Sequence, residues 1–282
     1  GEGASGRSTG VKGGYNGWYA PGNNIHRSPF SGRNFEYYSE DPILTGKMAV
    51  NVVGAARTKG VYSDLKHFAV NDQETNRGGV STFLTEQALR ELYLKPFELA
   101  VKGDDAPRTV KMFGDNVEDK VVDKYEGAIG VMSSFNRIGN KFTGGDYRLL
   151  TTILRDEWGF RGLVICDYKT SNLHMNSRQM LYAGNDLLLT SLPQYYWGDA
   201  KADSVQDVTV LRDATKNILY TVANSNSIQV KILGYSSEWW IVATIVVDCL
   251  AAVGLGVWGF FAVRKFLKNR KNGNEANAVE NE

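Results

Sequence analysis

Cysteine, histidine and proline are all scarce in this chain of 282 residues, at two, three and six copies. Cys166 lies in an apolar strand-like run and Cys249 in an apolar helix-like run, segments that belong in different solvents, so no disulfide is expected. His26, His67 and His174 have no second ligand at metal-binding spacing, neither i, i+4 on a helix nor beside a Cys-x-x-Cys pair. Neither a metal nor any other cofactor is therefore expected. An excess of one charge is lacking too: 32 basic and 31 acidic side chains leave a net +1, and outside the C-terminal tail no long run of one sign could follow a phosphate backbone. Nucleic acid is not an expected partner. The glycine-rich start, Gly1 to Gly17, has neither the basic n-region nor the apolar h-region of a secretory signal, and the chain has no Asn-x-Ser/Thr glycosylation acceptor. What is present, 43% hydrophobic and 22% charged residues, matches a globular protein of one large domain or two ordinary ones.

The exception is a run near the end. Trp239 to Val263, about 25 residues, contains a single formal charge, Asp248. At 1.5 Å per residue this is roughly 37 Å of helix, enough to cross a ~30 Å hydrocarbon layer with tilt. Trp239, Trp240 and Trp258 lie near its ends as interfacial aromatics do, and Arg264, Lys265, Lys268, Arg270 and Lys271 follow at once. That bias puts the C-terminus in the cytoplasm and the large domain outside, as a single-pass protein of the cell membrane with lipid as a partner. Asp248 costs about 2.5–3.5 kcal/mol at mid-membrane, which so apolar a stretch absorbs. Residues 229–238 read as a linker, and the basic tail 264–282 ends in a polar segment, Asn272 to Glu282, expected to be disordered.

Between Val11 and Asn224 short apolar runs alternate with longer helical ones, separated by glycine and asparagine turns. Strands are expected at Gly17–Ile25, Ser63–Val70, Ala128–Phe135, Leu163–Tyr168 and Asp186–Leu189. Helices are expected at Pro42–Thr58, Thr85–Lys102 (broken at Pro96), Asp146–Trp158, Met175–Ala183 and Val205–Val222. The alternation predicts an α/β fold with a parallel sheet. Five strands are too few to close a barrel of eight, so an incomplete (β/α)8 barrel is expected over 1–228, with its opening strands before Gly1. An open doubly wound sheet is the alternative, but no Gly-x-Gly-x-x-Gly turn supports a dinucleotide site. Polar groups gather at the ends of the strand candidates: Arg33 and Glu36 after the first, Lys66 and His67 in the second, Asp167 ending the fourth. Lys66 and His67 would face opposite sides of an extended strand, so for both to reach one ligand the backbone there must be irregular.

Three segments then resemble glycoside hydrolase family 3 and its β-glucosidases: Gly32-Arg33-Asn34-Phe35-Glu36-Tyr37-Tyr38-Ser39-Glu40-Asp41-Pro42; Lys66-His67-Phe68 running into Asn71-Asp72-Gln73-Glu74-Thr75-Asn76-Arg77; and Gly162-Leu163-Val164-Ile165-Cys166-Asp167-Tyr168. The resemblance covers roughly Gly13 to Asn226 and implies a retaining exo-glycosidase that removes terminal β-linked glucosyl or related residues from oligosaccharides or glucosides. It implies Asp167 as nucleophile, with Arg33, Lys66 and His67 binding the glycone hydroxyls and Met132, Phe135 and Tyr168 completing the pocket. Phe135 stands where tyrosine is common, which loses a hydroxyl beside the nucleophile, and Tyr168 stands where tryptophan is usual. No segment resembles a source of the acid/base, which in such β-glucosidases comes from an α/β sandwich domain. That domain is expected upstream of Gly1. A membrane-anchored carbohydrate-binding module without catalysis is the competing reading, motivated by the missing acid/base and the changes at Phe135 and Tyr168.

Overall fold

The structure is a computed structural model that describes residues 16–106, 108–113, 117–122, 124–170, 174–192, 202–228 and 239–279. The glycine-rich start through residue 15 and the linker read at 229–238 lie outside the described residues. The chain divides into two units, Gly1–Lys231 and Ile232–Glu282.

A parallel sheet organises the first unit: β1 (Gly17–Trp18), β2 (Tyr62–Phe68), β3 (Gly130–Ser133) and β4 (Leu163–Cys166), adjacent in that order. Leu187 adds one further parallel bridge, to Ile165. Among the described residues spatial order follows chain order without reversal, the winding of a singly wound parallel sheet. Helices follow the strands: α1 (Pro42–Arg57), α2 (Lys95–Lys102), α3 (Arg148–Glu157, with π-type hydrogen bonding), α4 (Ser177–Ala183) and α5 (Val205–Ala223). Asp41 starts α1 by accepting from the N–H groups of Ile43 and Leu44, with Pro42 in the first turn where no N–H is needed. Thr85 likewise caps the helical turn that leads to α2, and Pro96 sits in the first turn of α2.

The core lies between sheet and helices. Leu65 and Phe68 of β2, Val131 of β3 and Val164 of β4 pack with Val53 of α1, Phe97 of α2, and Leu150 and Leu154 of α3, all fully buried. The Phe68 ring meets Phe97 and Trp158 edge-on at 5.2 and 5.8 Å. Sheet pairing is close enough to require glycine at 130, where a Cβ would come within 2.3 Å of Asp64 Oδ1 and 2.7 Å of Ser63 O.

Four features differ from the sequence expectations. The first strand holds ladder pairing over only two residues; after Ala20-Pro21, whose proline lacks an N–H, contact with β2 continues through Lys66 N–H to Pro21 O, Asn23 N–H to Lys66 O and the Gly22 bridge. Asp186–Leu189 is a single bridge and not a full strand. An antiparallel hairpin, Arg108–Phe113 with Val117–Val122, was not expected, although its β-branched residues flank Gly114-Asp115-Asn116, a turn-forming sequence. In the second unit one helix, α6, runs from Trp239 to Val279 and includes most of the tail segment expected to be disordered. No proline interrupts it, and adding residues to an existing helix costs far less than nucleating one.

Candidate active site

The side chains of interest emerge at the carboxyl ends of β2, β3 and β4 and from the loop after β1, the rim where singly wound α/β folds gather their chemistry. At the end of β2 the register against β3 shifts between Leu65 and Phe68, and the Lys66–His67 and Phe68–Ala69 peptides are cis. The irregular backbone expected there is present. Val70, a β-branched residue, follows at φ 59, a conformation that costs on the order of 1–3 kcal/mol and persists only where neighbours enforce it. Those neighbours are visible: Tyr37 Oη donates to Asn71 O at 2.9 Å, the Ile25 N–H donates to Asp72 Oδ1 at 3.1 Å, and the Glu74 N–H donates to Ser31 O at 3.0 Å. The loop after β2 is thereby laced to the loop after β1.

Asp167 follows β4 directly. It is 8% exposed, and its N–H donates to Ser133 O at 3.0 Å, which continues the pairing with β3. Oδ1 accepts from the Tyr168 N–H at 2.7 Å, while Oδ2 has no hydrogen-bond partner among the described residues and faces Arg77 Nη1 at 3.6 Å. Burial pushes this carboxyl above the usual range; the Tyr168 N–H and then the charges of Arg77, Arg33 and Lys66 pull against that rise. Arg33 and Lys66 act on this carboxylate without touching it. Arg33 is bonded to Glu36 and, at 3.2 Å, to Glu74, and Lys66 lies 3.3 Å from Glu36, so both reach Asp167 only through the field. Their own acidic partners are nearer and hold them. Arg77, quoted in the second motif but given no role there, makes the direct ion pair.

Glu74 joins the cluster: its Oε1 accepts from Arg33, Arg77 and Asn71, each at 3.2 Å. A carboxylate three residues before an arginine was the available signal for this pairing. His67 is buried, with its N–H donating to Asn24 Oδ1 at 2.8 Å and its O accepting from Asn24 Nδ2 at 3.1 Å. Burial first, then Arg33, Lys66 and Arg77, hold its imidazole pKa well below the usual value, so the ring is neutral at pH 7 and its unbonded Nδ1 is open to a hydroxyl. Phe135 lies under the Arg77 guanidinium, 4.3 Å from Cζ to ring centroid, and Tyr168 is partly exposed with its Oη bonded to Ser191 Oγ. Met132 stands apart, packed with Leu163 and Ile165 in an apolar cluster. A recess of about 420 Å³ bordered by Trp18, Phe35, Glu36, Tyr37 and Lys66 adjoins the basic groups. A larger one, about 490 Å³, lies among Tyr147, Arg155, Tyr182, Lys216 and Tyr220 on the helical layer and includes none of the residues around Asp167.

A carboxylate at a strand end, ringed by arginine, lysine and neutral histidine, suits a polyhydroxylated ligand that develops positive charge. The family model for the glycosyl hydrolase family 3 N-terminal domain matches residues 7–220. The chain belongs to glycosyl hydrolase family 3. Its first unit accordingly has the family's TIM-barrel-like α/β fold. β-Glucosidase A of Butyrivibrio fibrisolvens is 38% identical over 170 residues, 60% of this chain and 18% of that protein. The exo-alpha-(1->6)-L-arabinopyranosidase of Bifidobacterium longum is 38% identical over 187 residues, 66% of this chain and 21% of that one. Among solved structures, β-glucosidase 3B from Thermotoga neapolitana in complex with glycerol superposes with a TM-score of 0.63 at 35% identity, covering 80% of this chain and 30% of the other. The chain thus spans about a fifth of the length of these curated relatives and under a third of this structure.

Proposed function

We propose that this chain is the sugar-binding and nucleophile-bearing part of a retaining exo-glycosidase that removes terminal β-linked glucosyl, or related, residues. The observation that carries the reading is Asp167: a buried carboxylate at a strand end with one oxygen fixed by a backbone N–H and the other unbonded, facing a ring of cations. In that role Oδ2 attacks the anomeric carbon, and the electron pair of the breaking glycosidic bond leaves with the aglycone oxygen. Retention requires a second carboxyl about 5–5.5 Å from the first, to protonate that oxygen and then activate water. Glu36 and Glu74 both bridge basic side chains, and the family resemblance implies a proton donor from an α/β sandwich domain. Arg33, Lys66 and His67 hold glycone hydroxyls, His67 as a neutral imidazole, and Tyr168 forms part of the pocket wall beside Asp167. Relatives named as β-glucosidases and as an arabinopyranosidase support a pyranoside substrate.

A 4-nitrophenyl β-D-glucoside assay of the intact protein is expected to give turnover, and the 1–228 segment alone is expected to give very little. An intact protein that binds glucose yet turns over no nitrophenyl glycoside would instead support a carbohydrate-binding module.

The same proposal includes an anchor. Val242–Lys265 is long and apolar enough to cross a bilayer, with a mean hydropathy of 2.0. With Arg264 and Lys265 at its end, the catalytic unit lies outside the cell and the C-terminus in the cytoplasm. The chain is expected to stay with membranes through alkaline carbonate and to release only with detergent, while a version ending at residue 231 stays in the supernatant. Release of the complete chain by carbonate alone would remove the anchor.

A further inference from the structure

Arg77 sits on an exposed loop between Asn76 and Gly78, on a long side chain that nothing in its own loop forces toward Asp167. Its Nη1 is shared between two carboxylates, Glu74 Oε1 at 3.2 Å and Asp167 Oδ2 at 3.6 Å. Glu74 is the nearer and belongs to the same loop, so electrostatics alone would draw the guanidinium back toward Glu74 and away from the buried carboxylate. The third contact has a different chemistry. The guanidinium lies over the Phe135 ring, with Cζ 4.3 Å from the centroid, within the range of a cation–π contact. Phe135 is itself held. The ring packs against the buried cluster of Phe142, Cys166, Met175 and Met180 and lies nearly parallel to the His174 imidazole, at 10° with centroids 6.3 Å apart. His174 in turn shares a hydrogen bond with Phe135 O and packs on Phe142 at 4.9 Å. A fixed ring gives the guanidinium a fixed place to rest, and from that place Nη1 lies within reach of both acids.

We propose that Phe135 is a positioning residue: its ring face, rather than any polar group, holds the Arg77 guanidinium against Asp167. In this chain the ring at position 135 acts on the nucleophile through the charge it carries. The effect on turnover rests on the glycosidase reading above; the placement of the charge does not. The charged groups facing Asp167 are Arg77, Arg33 and Lys66, the adjacent titratable group is the Cys166 thiol, and His67 lies among the same three cations. Arg33 and Lys66 are tied to Glu36 and stay in place when the ring is altered.

The test is direct titration of Asp167 in the intact protein, by carboxyl ¹³C NMR of aspartate-labelled material with the resonance assigned by its loss in Asp167→Asn. Phe135→Leu is expected to move the midpoint upward by about half a pH unit, the size set by losing one cation–π contact. Phe135→Trp keeps a ring face without adding a hydroxyl and is expected to keep the wild-type midpoint. Arg77→Gln is expected to raise the midpoint further than Phe135→Leu does, and in that background Phe135→Leu should add nothing. Phe135→Met, of similar volume but without a ring, stands in if the leucine variant does not fold. An unchanged midpoint in the leucine or methionine variant overturns the proposal, as does an equal shift with and without Arg77, which would mark a general packing effect. The two readings separate cleanly. A midpoint that moves in a protein without glucosidase activity keeps the positioning role and removes the enzymatic one, whereas turnover with an unmoved midpoint does the reverse.

Discussion

Asp167→Ala in the intact protein is expected to lower kcat toward nitrophenyl β-glucoside by about 10⁴-fold or more, equivalent to roughly 5.5 kcal/mol of barrier. The size follows from the role: without the carboxylate no covalent glycosyl intermediate forms, and the oxocarbenium-like transition state loses its nearest negative charge. Folding should be little affected, because Oδ2 makes no hydrogen bond and Oδ1 accepts only the N–H of the next residue. A merely structural role is distinguished by rescue. Azide should enter the space left by the side chain, attack the anomeric carbon from the same face, and give an α-glycosyl azide from the β-glucoside. A variant that retains normal turnover, or an azide product of β configuration, would remove Asp167 from the nucleophile's place.

The second large effect concerns stability. Asp64 on β2 is fully buried, its Oδ1 has no hydrogen-bond partner among the described residues, and burial pushes its carboxyl up to about 8. Burial likewise lifts Asp72, to about 7, against a hydrogen bond from the Ile25 N–H. In the unfolded chain both acids ionise near 4, so between there and their folded values the native state binds more protons than the unfolded one, and stability falls as pH rises. His67 acts the other way only below about 6.5, where the unfolded imidazole takes a proton that the buried one refuses. The informative window is therefore pH 6.5 to 8.5. Across it, urea denaturation of the intact protein is expected to show a loss on the order of a few kcal/mol. Asp64→Asn should be more stable than wild type at pH 8.5 and should flatten most of that slope. A wild-type protein equally stable at both ends of the window would show that Asp64 is solvated or paired when folded.

Much of this was legible in the sequence, for physical reasons. β2, β3 and β4 are short apolar runs bounded by turn residues, and the Asp41-Pro42 and Thr85 starts are local capping chemistry; such features need no tertiary knowledge. Arg33, Lys66, His67 and Asp167 drew notice as polar groups at the ends of strand candidates, but their roles came from the resemblance of three segments to family 3 motifs. The pairing among them was not legible. Which acid each base prefers depends on loops that meet only in three dimensions, so Glu36 and Glu74 taking Arg33 and Lys66, and Arg77 taking Asp167, left no periodic trace. Met132 was named only because the resemblance implied it, and its side chain packs among apolar neighbours on the sheet. The Arg108–Val122 hairpin could have been read from its alternation, but it interrupts a helix-to-strand return where no extra pairing was sought.

Spatial order matching chain order has one more consequence. Arg33 follows β1, Lys66 and Arg77 come with β2 and the loop after it, Phe135 follows β3 and Asp167 follows β4. The first three come with the first two strands, but Phe135 and Asp167 arrive only with β3 and β4, so affinity for the proposed sugar reports on the docked sheet and not on any local piece of it. A saturating ligand then protects against global unfolding alone, by mass action, and leaves the fraying of outlying turns untouched.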